Sequence, residues 1–178
     1  TVYLQPCMVP RWVRGEKEQG RAMLSNGKSI NLNIVALGNA VGTGSKGINA
    51  PIIEVKNFAE LDALGKDKVK GKIVFYNYRM DPRYISTFRA YGEAGVYRSQ
   101  GPSRAAALGA VGVIVRTLSP VLDDNPHTGA TRYDEDKPKI PAVAISTNGA
   151  VELSGLISKG EVKNVFFRTT CQMLADVE

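Results

Sequence analysis

KIVFYNY (72–78), VGVIVRT (111–117) and PAVAIS (141–146) are three short apolar runs whose reading decides the fold. Each is too short for an ordinary helix and lacks the alternation of a strand with one wet face. Each is therefore predicted as a strand covered on both sides. Helix-forming segments lie between and after them. PSRAAALGA (102–110) opens on Pro102, suited to a first helical position, and its small residues let a helix sit close to a sheet. GAVELSGLIS (149–158) follows the third run, with Ser146 or Thr147 placed to cap it and Gly160 placed to end it. Strands alternating with helices predict a partly parallel sheet with helices packed on it.

Working outward, PIIEV (51–55) reads as another strand. Asn57 can cap a short helix over FAELDAL (58–64), with Glu60 as its capping-box partner and Gly65 with the Lys-rich turn ending it. VKNVFFRTT (162–170) reads as the last strand of the core. At the front, AMLS (22–25), Asn26-Gly27 and KSINLNIVAL (28–37) form the strongest short-range hairpin signal, with Ile30, Leu32 and Ile34 sharing one face. Residues 79–100 show no clean period, so Tyr84, Phe88, Tyr91 and Tyr97 read as aromatics covering core beneath a long loop or irregular helix. A long polar loop covers 118–139. The class is α/β: a mixed sheet with flanking helices plus a β-hairpin layer, in β/β/α order.

Composition narrows the function. The chain has 178 residues, 43% of them apolar and 22% charged, which fits one globular domain of ordinary composition. No run of about 18 apolar residues exists to span a membrane. The net charge of +6 comes from 23 Lys and Arg against 17 Asp and Glu, and its excess is scattered over the first half. Lys66, Lys68, Lys70 and Lys72 are its densest part. A basic stripe with interleaved aromatics, the footprint of nucleic-acid binding, is missing. A single histidine, His127, argues against zinc chemistry in this chain, because catalytic zinc wants about three protein ligands.

Both ends, TVYLQPCMV (1–9) and QMLADVE (172–178), read as strand-like, which points to an excised or inserted domain with 1–20 and 165–178 as flanking strands. Cys7 and Cys171 lie in these two segments. Adjacent terminal strands would bring them to disulfide distance; otherwise they are two buried thiols acting as small hydrophobes.

The motifs with chemical potential are weak. Gly42, Gly44 and Gly47 satisfy G-x-G-x-x-G, but the loop runs into a β-branched stretch rather than the helix a dinucleotide needs. His127, in DDNPHTG (123–129), has no G-x-S-x-G serine to activate, and it reads as a loop residue with a local hydrogen bond or one that touches a ligand or partner. Asp123, Asp124, Asp134, Glu135 and Asp136 lack the spacing of a calcium loop and read as a solvated acidic loop.

Together these residues resemble the protease-associated domain. That family has a strand led by Gly-Lys, a helix ending in Gly-Ala, an apolar strand and an Ile-Pro strand start. Here those are Gly71-Lys72, Gly109-Ala110, VGVIVRT and Ile140-Pro141. The version inserted in zinc exopeptidases also carries Arg-Gly-Glu, a Gly-Thr-rich loop, and Pro-His-Thr-Gly before Pro-Lys-Ile-Pro. This chain has Arg14-Gly15-Glu16, GNAVGTGSKGINAP, Pro126-His127-Thr128-Gly129 and Pro138-Lys139-Ile140-Pro141, so the resemblance spans nearly all of 1–178.

The resemblance implies a swivelling β/β/α fold with no catalytic residue and no cofactor of its own. Zinc, its ligands and the general-base Glu are expected in a separate peptidase domain that this one interrupts. That domain is the expected partner, beside a peptide substrate, and the parent is expected to be a secreted or periplasmic aminopeptidase or carboxypeptidase. The accessory role is to shape substrate access or mediate contacts beside the cleft, as lids do. The loops expected to serve it hold Thr43 and Ser45, Tyr97 and Arg98, and His127 and Thr128. The other reading is an independent peptide- or protein-binding module of a receptor or sorting protein.

Overall fold

Residues 2–177, which the computed structural model describes, begin with β1 (Val9–Val13), β2 (Gln19–Leu24), β3 (Ser29–Asn31), β4 (Ile34–Ala36), β5 (Ile48–Ala50) and β6 (Ile52–Val55). There follow α1 (Phe58–Val69), β7 (Ile73–Tyr76), α2 (Thr87–Ser99), α3 (Gly101–Ala107), β8 (Gly112–Arg116) and β9 (Ala142–Ile145). The chain closes with α4 (Thr147–Ser158), β10 (Val162–Arg168) and β11 (Gln172–Val177).

The three apolar runs are β7, β8 and β9, and every residue of each is buried. They lie in a five-stranded sheet of order β4-β9-β8-β7-β6, parallel except for the β4 edge. Period-two alternation splits their side chains between two cores. Val74, Tyr76, Val113, Val115, Ala142 and Ala144 face α1, α2 and α3. Ile73, Phe75, Ile114, Val143 and Ile145 face Val165 and Phe167 of a second sheet, together with Ala150 and Leu153 of α4. Each fully buried Ile, Val or Phe contributes about 1.5–3 kcal/mol, so this central sheet carries much of the stability. The second sheet is antiparallel, in the order β3-β2-β10-β5. The layering is thus β/β/α, as expected.

The helix ends follow their capping chemistry. Asn57 Oδ1 accepts from the Glu60 amide at 2.9 Å, and Glu60 reaches back to the Lys56 amide at 2.8 Å. Ser146 caps α4 by accepting from the Gly149 amide at 3.1 Å. Gly160 ends α4 at φ +70°, where its amide and that of Glu161 satisfy the last carbonyls.

Several local expectations change. Gly65, at φ +64°, kinks α1 rather than ending it, and a further turn runs on to Val69. The hairpin forms at Asn26-Gly27, but its return strand breaks after Asn31. Ile30, Leu32 and Ile34 therefore do not share one strand face; they meet in the core between the sheets, Ile30 from β3 and Ile34 from β4 at the edge of the five-stranded sheet. Residues 87–99 form a regular helix whose buried stripe is Ala90, Ala94 and Tyr97; Phe88 and Tyr91 point outward. Small residues at that helix's contact positions hid its period.

The cysteines are also corrected. β1 and β11 pair antiparallel as a separate ribbon, with Trp12 opposite Met173 and Val13 opposite Gln172. Continuing that register sets Cys171 across from Arg14, seven residues from Cys7, or about 23 Å at about 3.3 Å per residue. Both thiols are free; Cys171 is buried but Cys7 is exposed. The antiparallel direction separates what a parallel pairing would have joined.

Candidate functional site

The carboxyl ends of the parallel strands open onto one end of the molecule. On three neighbouring strands, the last side chains aimed toward α4 are polar: Glu54 of β6, Asn77 just beyond β7, and Arg116 of β8. Arg116 is 4% exposed and donates from Nη1 to Asn77 Oδ1 at 3.2 Å. Asn77 Nδ2 donates to Glu54 Oε1 at 2.6 Å, and the Ser154 hydroxyl of α4 donates to the same oxygen at 2.9 Å. Burial, and then the nearby Arg79 guanidinium, lower the pKa of Arg116, whereas Glu54 favours its charge. A cleft of about 540 Å³ between Lys56, Asn77, Arg79 and Ser154 opens over this network.

Beyond β8 the chain turns at Leu118–Pro120 and runs along the start of α4. The Thr147 hydroxyl donates to the Val121 carbonyl at 2.9 Å and accepts from the Asp123 amide at 2.8 Å, while Asn148 Nδ2 donates to Asp124 Oδ1 at 3.1 Å. The two aspartates thus stand at a helix N-terminus, where the backbone dipole favours negative charge. The His127 amide donates to Thr117 Oγ1 at 3.0 Å, and its exposed ring lies with Nε2 3.6 Å from Asp123 Oδ2. The Thr128 hydroxyl donates to the Ala36 carbonyl at 2.9 Å.

Arg98 comes to this place from the last turn of α2. Its Cζ lies 5.3 Å from the centre of the Tyr91 ring and so close to Gly129 that a β-carbon there would sit 2.5 Å away. Arg98, His127 and Thr128 line one depression of about 390 Å³. Of the six residues singled out in the sequence, these three converge. Tyr97 does not join them: it is 8% exposed, on a helix rather than a loop, and stacks on Tyr78 at 4.8 Å between Phe58 and Tyr76. Thr43 and Ser45 lie elsewhere. The Thr43 hydroxyl accepts from the Thr169 amide at 3.0 Å and donates to the Thr169 carbonyl at 3.1 Å. Ser45 edges a separate hollow beside Glu16 and Arg168, which pair at 2.7 Å.

Sequence reasoning missed the Glu54–Asn77–Arg116 row, although a polar residue ending each of three apolar strands was its signal. It also missed the exposed Ile85, Val121 and Leu122 and read the exposed Phe88 as covering core; all four lie within two residues of Thr87 or Pro120, which line the depression.

Ser119 Oγ accepts from the Val121 amide at 3.1 Å, and among the described residues no hydrogen bond joins it to His127, so there is no nucleophile–base pair. Nor do three His, Cys, Asp or Glu side chains converge among the described residues, and His127 with Asp123 alone does not fit a zinc ion. No helix in the described residues is long and apolar enough to cross a membrane.

Comparison with known proteins identifies the family. The profile of the PA domain matches residues 32–153. Carboxypeptidase Q of Xenopus laevis is 42% identical over 159 residues, covering 89% of this chain and 31% of that protein. The chain therefore spans about a third of the length of the curated relatives it matches. The crystal structure of a peptidase M28 precursor from Shewanella amazonensis superposes with a TM-score of 0.87 at 28% identity, over 97% of this chain and 38% of that one. A zinc aminopeptidase from Bacillus subtilis shares the fold, with a TM-score of 0.54 at 16% identity over 95% of this chain and 32% of that one. A β/β/α sandwich with its strand ends open, the Gly-Lys, Gly-Ala and Ile-Pro strand boundaries, and a matching profile over most of the chain all lead to one assignment: the chain belongs to the PA (protease-associated) domain family.

Proposed function

We propose that this chain is the non-catalytic accessory domain of a zinc-dependent aminopeptidase or carboxypeptidase working outside the cytoplasm. In this reading zinc sits in a peptidase domain elsewhere in the same polypeptide, and the PA domain shapes peptide access beside its cleft. The observation that carries it is the face around the basic depression. There Ile85, Phe88, Val121 and Leu122, each more than half exposed, lie within two residues of Thr87 or Pro120, which line the depression with Arg98 and His127. Exposed apolar side chains rimmed by polar ones mark a surface with a partner. The carboxypeptidase relatives, about three times longer than this chain, support the peptidase reading over a receptor-type module.

In the full-length protein, chelation should abolish peptidase activity and zinc should restore it, while this chain alone should cleave nothing. His127→Ala in the full-length enzyme should change KM or peptide preference across a panel of dipeptides. Unchanged kinetics across the panel would show that this face does not border the cleft.

A further inference from the structure

We propose that Arg98 anchors a peptide carboxylate in the depression between α2 and the 118–128 loop. The proposal rests on the accessory reading only for the source of the peptide.

The guanidinium is held in place but not satisfied. Its Nε is buried and lacks an acceptor, and it is the one buried side-chain nitrogen or oxygen in that state among the described residues. Arg14, Arg83, Arg89, Arg104 and Arg168 meet carboxylates, at 3.0, 2.6, 3.9, 3.7 and 2.7 Å; among the described residues Arg98, like Arg116, meets none, but Arg116 has Asn77 as its acceptor. It lies over Tyr91 and against Gly129 instead, so its fork is positioned before any ligand arrives.

The surroundings select the ligand. No Asp or Glu lines the depression, while Thr87, Ser119 and His127 do. Ser119 Oγ receives the Val121 amide and so keeps its own proton to donate; the Thr128 hydroxyl has committed its proton to Ala36. One guanidinium beside the Thr87 and Ser119 hydroxyls matches a singly charged, planar anion, which it can grip through two parallel N–H bonds. A phosphate would call for more cations than line this hollow. Leu118 and Tyr91 offer apolar wall beside the guanidinium, suited to the side chain of the residue bearing the carboxylate. A volume of about 390 Å³ is at the small end for ligand pockets, enough for a terminal residue and part of its neighbour.

The test uses the full-length protein and two probes, N-acetyl-leucine and N-acetyl-leucinamide, with binding followed by ligand-observed NMR. The acid should bind with Kd of about 1 mM, an ordinary value for so small a ligand, and the amide at least about tenfold more weakly. Arg98→Gln should weaken the acid about tenfold and leave the amide unchanged; Arg98→Lys, which keeps the charge but loses the fork, should fall between. Equal binding of acid and amide, or an acid preference that survives in Arg98→Gln, would overturn the proposal. So would an absence of binding, including the case in which Arg98→Gln lowers the Tm, since the guanidinium would then serve only its packing on Tyr91 and Gly129. Binding is read without turnover, so a parent that proves not to be a peptidase leaves this result standing on its own.

Discussion

Asn77 holds Arg116 across two parallel strands: one amide side chain accepts from the buried guanidinium and passes its own N–H to Glu54. A buried cation with a single hydrogen-bonded neighbour depends on that neighbour. Asn77→Leu removes the acceptor and keeps the branched shape. It should cost about 2–3 kcal/mol in urea unfolding, within the range for hydrogen bonds to charged groups. A loss below about 0.5 kcal/mol would mean that Glu54 or water takes over the guanidinium.

Gly42 lies where the glycine-rich loop crosses the 169–171 segment. A β-carbon there would be 2.6 Å from the Cys171 carbonyl oxygen and 3.0 Å from that of Thr169, and neither backbone atom can swing aside. Gly42→Ala should destabilise by about 1–3 kcal/mol, the ordinary cost of overpacking. Gly44→Ala meets no atom and violates only its φ of +73°, so it should cost about 1–2 kcal/mol. Urea midpoints of the pair order the two effects. If Gly42→Ala proves the milder, the loop moves more freely than its contacts indicate.

The two thiols should behave independently. Cys171 is buried, its Sγ lies 3.3 Å from the Ala40 carbonyl, and burial raises its pKa. The native protein should therefore consume one equivalent of a thiol reagent quickly at Cys7, and the second only on unfolding. Dithiothreitol should leave the Tm unchanged. A drop in Tm on reduction would show that the two do pair.

Alkaline pH should weaken the fold through its buried phenols. Burial pushes Tyr133 up to about 12, opposed by the Val41 amide that donates to its oxygen, and burial pushes Tyr76 higher still. In the unfolded chain both titrate at about 10. The raised folded value means that stability is fully present below about pH 10 and is lost as pH climbs toward 12, because only the unfolded chain releases its protons there. Tyr133→Phe should make that decline shallower, at a cost near pH 7 of about 1 kcal/mol for its lost hydrogen bonds. Parallel urea-midpoint curves for the two proteins between pH 8 and 11 would refute the assignment.

The sequence showed most clearly those parts whose structure is decided locally. β7, β8 and β9 were legible because burial on both faces leaves an uninterrupted apolar run, and the caps at Asn57 and Ser146 because one side chain makes each. α2 was not, since Ala90 and Ala94 pack by being small and leave Phe88 and Tyr91 as its loudest residues. The depression was half legible. His127 and Arg98 stood out singly, but only the return of the 118–128 loop past α2, tied down by Thr147 and Thr117, brings them together. Tyr97 was legible as an aromatic covering core but not as turned away from Arg98, because that needed the helix to be recognised, in which adjacent residues point in different directions.

The pairing of β2 with β10 and of β1 with β11 has a bearing on biosynthesis. Emerging from the ribosome, β2 finds only its hairpin neighbour β3, and its other edge waits for a strand made some 140 residues later. The parallel strands β6 to β9 end at Ile145, before β10 begins at Val162, so all strands of the five-stranded sheet precede the partner that β2 lacks. Pairings this distant in sequence form slowly and leave strand edges open in the meantime. Nascent chains halted before residue 162 should thus hold a formed central sheet with one uncovered face, the state in which this protein is most exposed to aggregation and most in need of a chaperone.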